Sequence, residues 1–371
     1  MRDIDKFRGC LIGGAAGDAL GFAVEFLREE QIFSKYGDNG ITDYSLKKGI
    51  AEISDDTQMT LFTANGLLLG TTRGMTRGIM GSYESYIKIM YQCWYRTQTE
   101  SYPINDEYLY SWLLNVPELF ARRAPGITCL SAIEHGAEGS TSEPINNSKG
   151  CGGVMRVAPI GLYFCDKSIS YEKSDMIGAE AAALTHGHDL GFIPAAALVH
   201  IIRSIIENGA TISEAVNETI NAMQALFPKA KHVADFTDIM QKAVMLAEKG
   251  DDDLSSIHQL GEGWVAEETL AIAVYCSLKY QEDFDTAIRV AVNHNGDSDS
   301  TGAVTGNIIG AYIGYDAIPS KYKNNLELRD ITLEIADDLY NDCRISEYDP
   351  YQDEVWESKY VKAEYVRDTS V

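Results

Sequence analysis

Apolar residues recur at three- and four-residue spacing through most of the chain. This period predicts helices over Phe7–Phe22, Thr57–Leu69, Tyr83–Tyr95, Asp106–Ala121, Ser174–Thr185, Phe192–Asn208, Ile212–Leu226, Asp235–Lys249, Glu267–Leu278, Phe284–Asn293 and Ile331–Tyr340. A further helical pattern begins at Gly302. Apolar–polar alternation is scarce, and only Ile41–Leu46 and the end of the chain offer short strands. Short polar breaks join the helices, without a Pro- or Ser-rich linker or an internal repeat. The pattern predicts one compact all-α domain over residues 1–345. In the tail, 346–371, the composition turns to Tyr348, Tyr351, Trp356, Tyr360 and Tyr365 among acids. That is too aromatic for a solvated chain, and the tail is expected to pack on the body or on a partner.

Two glycine series interrupt the apolar pattern. Gly9, Gly13, Gly17 and Gly21 in the first helix, and Gly302, Gly306, Gly310 and Gly314 in the late one, are each spaced by four and form a smooth ridge. A helical glycine costs roughly 0.8–1 kcal/mol relative to alanine, so eight of them predict close backbone packing, either of the two helices on each other or of each on a third. Antiparallel packing of the pair would bring Glu25, just past the first helix, near Asp297 and Asp299. Asp18 and Glu25, seven apart on one helical face, would both point into that site. A membrane dimerisation ridge is the competing reading of such glycines, and the two acids argue against it.

Two acidic turns stand at helix starts. Ser54-Asp55-Asp56-Thr57-Gln58 precedes the apolar run Met59–Leu69, and Asn293-His294-Asn295-Gly296-Asp297-Ser298-Asp299-Ser300-Thr301 precedes Gly302. Asp and Ser are preferred caps, which explains either turn alone. Four carboxylates meeting in one place would repel, and a cation between them removes that cost. Oxygen ligands select Mg²⁺, Mn²⁺ or Ca²⁺ over zinc, and two such loops suit a pair of ions.

Asn146–Arg156 supplies a third feature, a glycine loop read either as a tight turn or as backbone N–H groups facing a phosphate, with Lys149 and Arg156 nearby. It matches neither a dinucleotide fingerprint nor a Walker loop. Thr185-His186-Gly187-His188-Asp189 lacks the further ligands zinc needs and reads as a polar wall of a cleft. Cys151 has no neighbouring base to make it a nucleophile.

The net charge of −24 and a pI near 4.6 argue against nucleic acid or an anionic membrane as partner. Seven cysteines without a Cys-x-x-Cys pair read as reduced thiols. Met1–Cys10 shows no apolar signal core, and a cytoplasmic location is expected.

Arg8–Gly21 with Val24-Glu25-Phe26, Ser54-Asp55-Asp56-Thr57, Gly152-Gly153-Val154-Met155-Arg156, Thr185-His186 and Gly296-Asp297-Ser298-Asp299-Ser300 together resemble the ADP-ribosylglycohydrolase family. The motifs stand in family order over roughly Phe7 to Tyr340. The resemblance implies an orthogonally packed all-α domain holding two Mg²⁺ or Mn²⁺ ions in a cleft. By position, Ser54, Asp55, Asp56, Asp297, Asp299 and Ser300 would be metal ligands, and Glu25 the acid beside them. Gly150, Cys151, Gly152, Gly153, Val154 and His186 fall where relatives contact ADP-ribose. Ser54 and Ser300 stand where Thr is frequent, and Cys151 where Asn is.

The implied activity is hydrolysis of the N-glycosidic bond of ADP-ribosylated arginine on proteins, with Glu25 or Asp56 moving the proton. The Gly17-Asp18-Ala19-Leu20-Gly21 to Val24-Glu25-Phe26 segment looks closest to bacterial arginine-directed members. Serine-linked substrates and O-acetyl-ADP-ribose are alternatives. Outside catalysis stand a role like that of a lens crystallin with the same fold and an immunity protein that binds an ADP-ribosyltransferase toxin.

Overall fold

Side-chain caps mark out the elements of the computed structural model, which describes residues 3–365. Asp3 accepts from the Asp5 N–H at 3.0 Å to open the first helix, Ser54 and Asp297 open two more, and Thr211 with Glu214 forms a capping box. Left-handed glycines at 78, 209 and 250 close others.

The helices are, in order, α1 (Ile4–Gly21), α2 (Glu29–Tyr36), α3 (Asp55–Arg77), α4 (Tyr83–Thr99), α5 (Ile127–Glu134), α6 (Ala158–Tyr163), α7 (Tyr171–Ala183), α8 (Asp189–Asn208) and α9 (Ile212–Leu226). They continue as α10 (Val233–Lys249), α11 (Asp253–Leu260), α12 (Ala266–Lys279), α13 (Phe284–Val292), α14 (Ser298–Ile313), α15 (Ser320–Lys323), α16 (Arg329–Asn341) and α17 (Glu354–Tyr360). The all-α expectation holds among the described residues, where only isolated bridges occur in place of strands.

Three expectations fail. Ile41–Leu46 is not a strand, because the Asn293 side chain takes the place of a strand partner. It accepts from the Ile41 N–H at 2.7 Å and donates to the Ile41 carbonyl at 2.9 Å. At the end of the chain, α17 forms instead of a strand, and residues 366–371 lie outside the described residues. Asp106–Ala121 is not a helix but two 3₁₀ turns, Trp112–Asn115 and Pro117–Phe120. Pro117 lacks an N–H and disfavours helical geometry at Val116, while Trp112, Leu113, Leu114 and Leu119 stay buried and produce the helix-like spacing.

Helix α1 runs antiparallel along α14, with α16 and α12 flanking the pair. Gly9 faces Gly310 and Gly314, Gly13 faces Gly306, Gly17 faces Gly302, and Gly21 faces Ser298. A Cβ on Gly13 or Gly306 would overlap the other's carbonyl oxygen, which is why the ridges contain no larger residue. Helix α8 is long and apolar enough to cross a membrane by composition, and 94% of that window is buried inside the protein. From the tail, α17 buries Trp356, whose Nε1–H donates to Thr72 Oγ1 of α3 at 2.9 Å. The buried Lys359 pairs with Glu334 and Asp338 of α16.

Candidate metal centre

The antiparallel pair sets the start of α14 beside the end of α1, and α3 begins on the same side. The turn at 22–27 carries Glu25 away from the α1 axis toward Asp297 and Asp299, and carboxylate oxygens of all three lie within 4.8 Å of one another. Asp55 and Asp56 open α3 opposite them, and Ser300 Oγ donates to Asp56 Oδ2 at 2.8 Å to join the two turns. These residues line a cavity of about 520 Å³ together with Phe26, Gly126, Thr128, Cys129, Gly150, Cys151, Gly152, His186 and Trp264.

Each turn is held from behind. Asp18 does not face the cavity as its spacing from Glu25 suggests. The chain leaves the helix after Gly21, so the two acids share no face. Asp18 Oδ1 accepts from Ser54 N–H at 2.9 Å, and Oδ2 accepts from Thr57 N–H at 3.1 Å and from the Thr57 hydroxyl. Ser54 is also turned to the scaffold, its Oγ accepting from the Asp56 N–H at 3.2 Å, and it does not line the cavity. In the second turn the Asp297 N–H donates to the Glu262 carbonyl at 2.9 Å. Gly296, at φ +116°, passes so close to that carbonyl that no side chain fits. Asp297 and Asp299 both accept from the Ser300 N–H, at 3.4 and 2.9 Å.

The glycine loop forms a 3₁₀ turn, Cys151–Gly153, tied to 264–266. Cys151 N–H donates to the Trp264 carbonyl at 3.2 Å, and Ala266 N–H to the Lys149 carbonyl at 2.9 Å. Of the loop residues expected to meet substrate, Gly150, Cys151 and Gly152 line the cavity, whereas Gly153 packs on Ala182 and the Gly191 carbonyl and Val154 is core. Neither expected basic helper is available. Lys149 pairs with Glu267, and Arg156 is fully buried, its guanidinium 4.2 Å from the Tyr91 ring centre and donating to Thr185 Oγ1 at 2.7 Å. Thr185 in turn shares a 2.8 Å hydrogen bond with His186 Nδ1, and the His186 ring packs against Gly150 and Gly152. His188 leaves the cleft and caps α8, accepting from the Leu190 N–H at 3.0 Å.

Electrostatics set this centre apart. Among the described residues, no Lys or Arg lines the cavity. Burial first, then the Asp299 charge, pushes the Glu25 carboxyl up to about 11 and raises Asp55, Asp56 and Asp297 well above the carboxylate range. Asp18 rises to about 7 for the same two reasons. Burial and the Arg156 charge pull His186 down to about 3, so it is neutral. Glu25 Oε2 is buried without a hydrogen-bond partner. Clustered carboxylates with an orphaned oxygen and no cationic side chain fit divalent cations with oxygen ligands. Asp55, Asp56, Asp297, Asp299, Ser300 and Glu25 are the residues placed to hold them.

Two features were missed in the sequence: the thiol of Cys151 donates to Asp297 Oδ2 at 2.8 Å, and Phe26 and Trp264 stack at the cavity mouth, ring centres 6.4 Å apart. Glycines on both sides leave Cys151 as the one side chain of the loop 150–153, a signal that could have flagged it.

The chain is similar to several known proteins. Mouse ADP-ribosylhydrolase ARH3 is 23% identical over 367 residues, covering 91% of this chain and 92% of that protein. ADP-ribosylarginine hydrolase Tri1 of Serratia proteamaculans is 26% identical over 339 residues, 91% of this chain and 79% of that one. A solved ADP-ribosylglycohydrolase-related protein complex shares the fold, with a TM-score of 0.55 and 23% identity over 91% of this chain and 98% of that chain. Residues 1–348 match ADP-ribosylglycohydrolase as a family, and with nearly its whole length so matched the chain belongs to the ADP-ribosylglycohydrolase family.

Proposed function

We propose that this hydrolase of ADP-ribose conjugates cleaves the N-glycosidic bond of ADP-ribosylated arginine on proteins and releases ADP-ribose. The observation that carries the reading is the convergence of five buried carboxylates, Glu25, Asp55, Asp56, Asp297 and Asp299, on one cavity without a cationic side chain.

The acids and Ser300 would hold two Mg²⁺ or Mn²⁺ ions. When bound, these supply positive charge that offsets the carboxylates, grips ribose oxygens and acidifies water. The chain's own residues do the rest. Asp56 is fixed by Ser300, whereas Glu25 keeps an unpartnered oxygen, so Glu25 is the group placed to take a proton from attacking water or return one to the leaving nitrogen. The neutral His186 and the loop Gly150–Gly152 form the wall against which the ribose end rests.

Arginine as leaving group is supported by the mouth. Phe26, 71% exposed, and Trp264, 41% exposed, offer ring faces beside acids, surroundings that suit a planar guanidinium better than a serine hydroxyl. The likeness to a relative named ADP-ribosylarginine hydrolase points the same way.

The test measures free ADP-ribose released from arginine-modified protein, serine-modified protein and O-acetyl-ADP-ribose, with Mg²⁺ or Mn²⁺ and with chelator. Metal-dependent release from the arginine substrate alone is expected. Preferential release from either other substrate would replace arginine as the leaving group. Release unaffected by chelator would remove the metal from the reading.

A further inference from the structure

Asp55 is gripped by the segment 123–126. Its N–H donates to the Arg123 carbonyl at 3.2 Å, and its Oδ2 accepts from the Gly126 N–H at 3.4 Å. Ala124, Pro125 and Gly126 of the same stretch line the cavity, so one segment both forms a wall and aims an acid. Its backbone is strained. Ala124 has a φ of +52°, a state that a residue with a side chain rarely takes and that the proline after it disfavours. Such geometry persists only where surrounding contacts enforce it, and residues of this kind gather at functional centres.

Arg123 supplies the enforcing contacts. Its guanidinium forks onto Glu327, Nη1 donating to Oε2 at 2.9 Å and Nη2 to Oε1 at 3.1 Å, and Nη1 also donates to the Ile53 carbonyl at 3.1 Å. Glu327 Oε2 in turn accepts from the Ile53 N–H at 3.1 Å. The ion pair thus satisfies both sides of Ile53, two residues before Asp55, as a strand partner would. Both side chains are mostly buried, which spares the pair the screening that weakens surface bridges. Glu52 Oε1 lies 3.3 Å from Nη2, and Arg123 itself stays outside the cavity lining. Asp18 therefore holds Ser54 and Thr57, while Arg123 with Glu327 holds Ile53 and Asp55.

We propose that Arg123, through its fork with Glu327, is a positioning residue of the metal centre: it sets Asp55 and the wall 124–126 in the arrangement that takes a divalent cation. The inference rests on the reading that the cavity acids hold such ions. A lysine at this position carries the charge without the planar fork, so it cannot hold Glu327 and the Ile53 carbonyl together in fixed geometry.

The experiment measures Mn²⁺ affinity of the metal-stripped full chain by electron paramagnetic resonance, with urea unfolding of each protein in parallel. The variants are Arg123→Lys and the double variant Arg123→Met with Glu327→Gln. The double variant leaves neither charge of the pair buried alone, and it carries the test if the lysine variant does not fold. Lys359→Met is the control, since it removes a buried ion pair with Glu334 and Asp338 outside the cavity lining. Both Arg123 variants are expected to bind Mn²⁺ ~10–100-fold more weakly, the loss that removing a ligand's outer partner causes, while Lys359→Met stays within about threefold of wild type at a comparable drop in unfolding midpoint. Wild-type affinity in the folded Arg123 variants overturns the proposal and leaves the cation site intact. An equal loss of affinity in Lys359→Met also overturns it, because general loosening then suffices. Failure of both Arg123 variants to fold makes the pair a requirement of the fold rather than a positioning device, which overturns it too. Absence of Mn²⁺ binding by wild type overturns the cation site itself and this proposal with it.

Discussion

In the turn before α3, the N–H groups of Ser54 and Thr57 are taken by Asp18, a buried carboxylate from another helix. In the turn before α14, the Asp297 N–H goes to the Glu262 carbonyl and the Ser300 N–H to the turn's own acids. Both turns present carboxylates at a helix N-terminus, where the macrodipole favours negative charge. One turn commits a side-chain charge from elsewhere to its scaffold, and the other uses main chain and its own acids. Acidity in a cluster is therefore a poor count of ligands. Asp18 is as buried as Asp55 or Asp297, yet its oxygens are occupied by donors of the protein.

Removing a cavity-facing acid should break the comparison most widely. Asp55→Ala or Asp297→Ala is expected to lower kcat/KM for ADP-ribose release on the order of 10³-fold with circular dichroism unchanged. Helix loss that parallels the activity loss would instead make these acids structural, like Asp18. Gly306→Ala strikes the main-chain contact between α1 and α14. Overlap with the Gly13 carbonyl is expected to destabilise the fold by about 3 kcal/mol, read by urea unfolding, and a change under 1 kcal/mol would mean the helices can separate cheaply. The smallest effect is expected from Asp18→Asn. It retains shape but turns an amide toward donors, costing about 2 kcal/mol in the same assay. Its activity should fall less than that of Asp297→Ala, and an equal fall would place Asp18 among the cavity acids.

How far these features could be read beforehand depends on whether they are periodic. The glycine ridges repeat every four residues, and their facing, with Glu25 brought near Asp297 and Asp299, follows from helix geometry. Capping chemistry likewise marks where α3 and α14 begin. The role of Asp18 was hidden because the seven-residue spacing to Glu25 assumes a helix that ends at Gly21. Arg156 shows the opposite failure: a cation near a glycine loop in sequence is turned by the fold onto Tyr91 and Thr185, far along the chain. Neither the Cys151–Asp297 contact nor the Asn293 side chain that replaces a strand partner has a local signature, since each joins segments more than a hundred residues apart.

The glycine contact between α1 and α14 also has a mechanical side. A joint of main chain on main chain has no rotamers to sample and no side-chain volume to adjust. Its spacing is set by the covalent stereochemistry of two helices, so it is stiff, and it changes little when neighbouring core residues are exchanged. The acids at its end inherit that stiffness, and substitutions elsewhere in the core can loosen the protein as a whole while leaving the distance between Glu25 and Asp299 as it was.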